Sequence, residues 1–211
     1  MPDAPDHGLL SRSLSDVLGA LASQHELVGG GGPAAAITAA AAAAVTAKVA
    51  RGSRVTWIEA GGAIALAESL RMQAQALIER DADAYQEASA ALARSQRSAR
   101  QGVAGPASTV PAREPADRER LVGEALIHAA DLSLAIAETA SEISQLAAQV
   151  SRYCPASLKS DALTAVALAE AAACASAHLV EVNRRLPPDD PRRAASGEAA
   201  EAASRAREQV L

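Results

Sequence analysis

Leu14, Val17, Leu18 and Leu21 recur at the spacing of one helix face, and Ser13-Leu14-Ser15-Asp16 at their start fits a capping box. The pattern predicts a helix over 13–25. Four glycines, Gly29 to Gly32, follow, then Pro33 and a block that is almost all alanine. Proline suits the first helical position, so a second helix is predicted over 33–51, broken by Gly52-Ser53. Leu66, Leu70, Leu77 and Ile78 stripe a third helix over 54–98, with Gly61-Gly62 as a kink or interruption. Residues 102–117 are rich in proline and glycine and read as a loop. Leu132, Ile136, Ile143, Leu146 and Val150 carry a fourth helix over 117–152. A fifth runs over 158–186, capped by Ser157 or Ser160 and stopped by Pro187-Pro188. A charged segment over 190–209 has too few large apolar residues for a core helix and reads as peripheral.

Composition sharpens this into a fold class. The chain has no Phe, one Trp and two Tyr, so its core must be built from Ala, Leu, Val and Ile. Alanine is the best helix former and lets helix backbones approach closely, whereas β-sandwiches lean on aromatic and β-branched residues. The expectation is all-α: a single-domain helical bundle of five to six helices, two of them long. Residues 1–12 form a flexible N-terminus, 13–188 the helical domain and 189–211 a peripheral charged helix. A net charge of −5 with almost no aromatic residues speaks against a nucleic-acid surface. Cys154 and Cys174 match neither a metal signature nor a disulfide framework, and no signal peptide is evident, so a cytoplasmic protein is expected. Residues 27–47 carry no charge, close to the ~20 residues that span a bilayer. Their glycines, proline and weakly hydrophobic alanines favour a buried helix over a membrane span.

Three stretches offer chemistry. Gly29, Gly30, Gly31 and Gly32 precede a helix start, where free N–H groups and the positive dipole end can hold an anion or a polar ring edge. By itself the run reads as an inter-helix loop. In Glu79-Arg80-Asp81-Ala82-Asp83-Ala84-Tyr85, Asp81 follows Leu77 and Ile78 by four and three residues and points to the apolar side. A carboxyl placed there has a raised pKa unless paired, and suits general acid–base work. The plain alternative for this run is a solvated acidic face. In the third stretch, residues 159–186, Asp161 stands near a helix start as a cap or dipole partner, while His178 and Asn183 punctuate a mostly apolar helix.

Together, these stretches resemble the cyclodeaminase domain of formiminotransferase-cyclodeaminase and the related bacterial methenyltetrahydrofolate cyclohydrolases. The family's Pro-Gly-Gly-Gly-Ser loop before an Ala-rich helix is matched by Gly29 to Pro33. Its Asp-x-Asp-Ala-x-Ala-Phe/Tyr motif is matched by Glu79 to Tyr85, with Asp81 on the central Asp. Its late Ser-Asp and Asn-Val-x-Ile-Asn motifs are matched by Ser160-Asp161 and by Leu179-Val180-Glu181-Val182-Asn183. The departures are Gly29 for Pro, Pro33 for Ser, Leu179 for the first Asn, Leu132 for a Pro, and Ala93-Arg94-Ser95 where Leu-Pro-Lys usually stands.

The resemblance implies an all-helical homodimer acting on a folate one-carbon derivative, opening or closing a ring at an amidinium carbon. It implies no metal and no tightly bound cofactor, the tetrahydrofolate derivative being the substrate. Asp81 is the expected acid–base group and Asp161 a second catalytic carboxylate. Gly29 to Gly32, Tyr85, His178 and Asn183 are the expected ligand contacts. The polar positions lost at Pro33 and Leu179 keep two alternatives open: a related reaction on a non-folate ring, or a non-catalytic ligand-binding dimer. Neither a nucleic acid nor a membrane is an expected partner.

Overall fold

Gly30 caps a helix that starts inside the glycine run. A computed structural model describes residues 8–25, 29–101 and 115–210. Of the flexible N-terminus expected over 1–12, residues 1–7 lie outside the described residues, while Leu9–Ser11 form a 3-10 turn; of the loop expected over 102–117, residues 102–114 lie outside them, and helix already begins at Pro115. Among the described residues, six helices follow in order: α1 (Leu14–Ala22), α2 (Gly31–Gly52), α3 (Ala60–Gln101), α4 (Pro115–Tyr153), α5 (Lys159–Glu181) and α6 (Pro191–Glu208). Short 3-10 turns at Leu9–Ser11 and Ala156–Leu158 join them, and no strand occurs among the described residues. The fold is all-α.

Ser13 caps α1 as its sequence predicts, accepting from the Asp16 N–H at 3.2 Å while its hydroxyl donates to the Asp16 carboxylate at 2.6 Å. Helix α2 begins two residues earlier than expected, which puts Pro33 at the third helical position. That costs nothing, because the first four N–H groups of a helix lack partners in any case, and the first backbone bond runs from Ala34 N to Gly30 O. Helix α3 starts later than expected. Residues 54–59 instead make turns closed by Thr56 N and Trp57 N on Ser53 O, which seat Trp57 in the core. There Trp57 stacks on Tyr153 with ring centroids 5.0 Å apart. Gly61 and Gly62 fall in the first turn of α3, within a continuous helix.

Helices α2, α3, α4 and α5 form a four-helix bundle in which each packs on the next and α5 closes back on α2. The buried face of α2 is alanine: Ala36, Ala39, Ala42, Ala43 and Ala47 have no exposed surface. Ala67, Ala140, Ile143, Ala169 and Ala173 meet it from the other three helices. A second cluster joins Leu77, Ile78 and Ala82 of α3 to Leu132 and Ile136 of α4, next to Ala35 and Ala36 of α2.

Helix α6 is not the loose appendage that its composition suggests. It packs against α4 and α5 through Ser196, Ala199, Ala203 and Ala206, all buried. The reason is size: small residues every three or four positions let its backbone lie close to its neighbours, so large apolar side chains are unnecessary. Polar ties add to this packing, with Ser144 Oγ donating to Ala203 O at 3.2 Å and Arg207 pairing Glu170 at 2.8 Å. Ala203→Leu is expected to destabilise the protein by about 1–3 kcal/mol through overpacking. Urea unfolding checks this; a peripheral or frayed helix would absorb the change without effect.

Candidate active site

Each of three glycines before and within the first turn of α2 meets a different neighbour. Gly29 adopts φ +72°, the left-handed region that favours glycine, and a Cβ there would lie 3.2 Å from the Tyr85 ring. A Cβ on Gly31 would come within 3.0 Å of Leu179. At Gly32 it would lie 2.1 Å from Asp81 Oδ2, well inside contact distance. Only a chain without Cβ atoms can bring this turn so close to α3 and α5. Gly30 faces open space. Among the described residues no side chain caps α2, which leaves its leading N–H groups at the positive end of the helix dipole without such a partner.

Asp81 is the group this turn covers. Its register puts it beside Leu77 and Ile78 on the core side of α3, and it is only 9% exposed. No side chain or backbone N–H among the described residues hydrogen-bonds its carboxylate. Burial pushes its pKa up from 3.8 to about 6, because desolvation penalises the charged form, while the charge of His128 pulls the other way. Such a carboxyl is mostly ionised at neutral pH yet easily reprotonated, which suits it to accept and return a proton.

His128 escaped the sequence reading. The signal was its register: it precedes Leu132 by four residues, one turn ahead of the part of α4 that packs on the Asp81 segment of α3, and it is itself exposed. Tyr85 lies one turn beyond Asp81 with its ring against Gly29 and is half exposed. His178 is exposed on α5 next to Leu179, at the same end of the bundle. Pro33 is buried within the first turn of α2, and Leu179 gives the turn an apolar wall against Gly31.

Two expected site residues lie elsewhere or are already engaged. Asp161 accepts from Lys48 Nζ at 2.7 Å. Helix α5 runs antiparallel to α2, so Leu179 meets Gly31 at one end and Asp161 meets Lys48 at the other. Gly31 and Lys48 are seventeen residues apart, about 25 Å along the helix, so within one subunit Asp161 does not join Asp81. Asn183 donates to Leu126 O at 2.7 Å and accepts from Arg185 N at 3.0 Å, which ties the end of α5 to α4 and accounts for the residue without a ligand. In the acidic run, Glu79 accepts from Leu9 N and Leu10 N at 2.9 and 2.7 Å and anchors the N-terminal turn. Asp83 and Glu87 are exposed, the solvated face of the run.

Two outcomes follow from this geometry. The folded protein holds the Asp81 proton more tightly than the unfolded chain does. Asp81 therefore favours folding below about pH 4, and that contribution is lost as pH rises through about 6. Asp81→Asn is expected to gain up to about 3 kcal/mol on the wild type between pH 4 and pH 8, read as the change in urea-unfolding free energy at the two pH values. Gly32→Ala forces its new methyl onto the Asp81 carboxylate and is expected to cost about 1–3 kcal/mol, whereas Gly30→Ala stays within about 0.5 kcal/mol. Equal effects of the two substitutions in the same unfolding assay would contradict the close approach at Gly32.

The sequence profile of the formiminotransferase-cyclodeaminase family matches residues 13–202, which takes in the glycine turn, the acidic helix and both late motifs. No curated protein sequence matches the chain. Among solved structures, the formiminotetrahydrofolate cyclodeaminase of Thermotoga maritima has the same fold, with a TM-score of 0.72 at 18% identity over 96% of this chain and 95% of that one. The chain belongs to the formiminotransferase-cyclodeaminase family.

Proposed function

We propose that this protein is an enzyme acting on a folate one-carbon derivative, opening or closing a ring at an amidinium carbon, with Asp81 as its acid–base group. The observation that carries the reading is the Asp81 carboxyl itself, buried against Gly32 with no hydrogen-bond partner among the described residues. A charged side chain held this way costs stability, and groups of this kind cluster at functional sites. In hydrolysis of a methenyl derivative, ionised Asp81 takes a proton from the water that adds to the cationic carbon. It then returns that proton to the ring nitrogen that leaves, while the remaining hydroxyl proton is released to solvent as the formyl carbonyl forms. In cyclodeamination the same carboxyl serves a nitrogen that attacks the formimino carbon and the ammonia that departs. In both, the carboxylate also stabilises the cation, and the free N–H groups of Gly31 and Gly32 hold a polar edge of the substrate.

A second reading has its own support. Leu179 lies against Gly31 where the family places an asparagine, so one wall of the turn is apolar. That wall favours a substrate with less polar surface at this position, and hence a related ring reaction on a non-folate compound.

Methenyltetrahydrofolate loses its near-ultraviolet absorbance on hydrolysis. The protein is expected to accelerate that loss, with kcat/KM rising through about pH 6 as Asp81 ionises. Asp81→Asn is expected to lower kcat by about 10²–10⁴-fold. A rate no higher than the spontaneous one, with formiminotetrahydrofolate also left unchanged, would sink the folate reading. Binding of these compounds without turnover would point to a non-catalytic binding protein.

A further inference from the structure

Residues 8–25 are held to the bundle by little apolar surface. Leu9, Val17 and Ala20 are buried there, while Leu10, Leu14 and Leu18 face water. The polar tie is Glu79. Both of its carboxylate oxygens are used, Oε2 accepting from Leu9 N at 2.9 Å and Oε1 from Leu10 N at 2.7 Å. These are leading N–H groups of the Leu9–Ser11 turn, which find no partner inside so short a helix. Gly8 stands at the capping position and has no side chain to satisfy them. Its missing Cβ also makes the room, because a Cβ there would lie 2.6 Å from Glu79 Oε1. Ser11 closes the turn from the other side, its N–H and its hydroxyl both donating to Gly8 O, at 3.0 and 2.8 Å. A carboxylate on another helix thus serves as the cap of this turn.

The place where the turn is fastened gives the tie its consequence. Leu9 is 4% exposed and belongs to the cluster that joins Ala35 and Ala36 of α2 to Ile78 and Ala82 of α3. Ala35 and Ala36 follow Gly32 by three and four residues, one helical turn. Ile78 stands three residues before Asp81, and Ala82 one after it. Leu9 is therefore a peg in the joint between the two segments whose close approach sets Gly32 on Asp81. Glu79 and Asp81 lie on different sides of α3, because two residues turn a helix by about 200°. One side chain faces the glycine turn, and the other holds the peg.

We propose that Glu79 is a positioning residue for Asp81: by fastening the Leu9–Ser11 turn over the joint of α2 and α3, it keeps the glycine turn closed on the Asp81 carboxyl and water away from it. Its part in proton transfer rests on the reading of Asp81 as the acid–base group; its control of the burial of Asp81 does not. The charges around Asp81 let this hold be told apart from a direct field. Among the described residues, the charge that acts on Asp81 is that of His128 on α4, and it opposes the rise due to burial. Arg80, Asp83 and Tyr85 are its neighbours on α3, and α5 brings His178 to the same end, exposed. The N-terminal segment brings Arg12, Asp16 and His25, all exposed, and α2 has no titratable group before Lys48. Opening the joint hydrates the carboxyl, which favours its charged form and lowers its pKa towards 3.8.

The test follows the carboxyl carbon of Asp81 by NMR through a pH titration, its signal identified by its loss in Asp81→Asn. Glu79→Asp keeps the charge but is one methylene short of the two N–H groups. Leu9→Ala keeps Glu79 and removes the peg. Glu79→Gln loses the charge and keeps the length, and its carbonyl oxygen offers two lone pairs to the same N–H groups. A midpoint of about 6 is expected in the wild type. Glu79→Asp and Leu9→Ala are expected to lower it by about one pH unit, and Glu79→Gln by less than about half of one. Midpoints unchanged in Glu79→Asp and Leu9→Ala, with helical circular dichroism retained, overturn the proposal. So does a fall in Glu79→Gln as large as that in Glu79→Asp, because the charge and not the hold would then set the titration. With methenyltetrahydrofolate, the acid limb of kcat/KM is expected to move down in pH with the midpoint. Shifted midpoints without turnover by the wild type remove the folate reading and leave the hold standing. Turnover with fixed midpoints does the reverse.

Discussion

Ala36, Ala39, Ala42, Ala43 and Ala47 line the one face of α2 that touches three other helices, and none of them has surface left to expose. At these five positions the side chain is only a methyl group, which lets the neighbouring helices lie close. The close approach is also what holds the first turn of α2 against α3, where the carboxylate of Asp81 lies directly on Gly32. The alanine seam and the glycine turn are thus one device: the seam sets the distance, and the missing Cβ atoms use it. Dispersion between closely packed backbones stands in for the aromatic bulk that this chain lacks.

Stability and chemistry pull in opposite directions at Asp81. An unpaired carboxyl placed between apolar helices opposes folding at neutral pH, and a neutral side chain there would be the more stable choice. The burial that makes it costly also brings its pKa close to the working range of a proton carrier. No hydrogen bond or ion pair among the described residues ties up the carboxyl, so it remains able to exchange its proton. The charge of His128, on α4, acts against that rise.

The two ends of α2 carry different parts of the family's pattern. The glycines and Asp81 lie at the N-terminal end, while Lys48 and the Ser160-Asp161 motif lie at the other. In a bundle of antiparallel helices, residues near the start of one and the start of its antiparallel neighbour are forced to opposite ends.

Much of this was legible in the order of the residues. An aromatic-poor, alanine-rich chain with helical periodicity has no route to a sheet core, so the all-α class and most helix positions followed from composition and spacing. The burial of Asp81 followed from its register behind Leu77 and Ile78, because a helix fixes which residues share a face. The tertiary structure decided what depends on distance. It showed that Gly32 is needed for Asp81 in particular, that α6 belongs to the core through its small residues, and that His128 acts on the site from another helix. It also separated Asp161 from Asp81. Spacing along a chain says nothing about the direction in which two helices run past each other, and the antiparallel packing of α2 on α5 put those carboxylates at opposite ends.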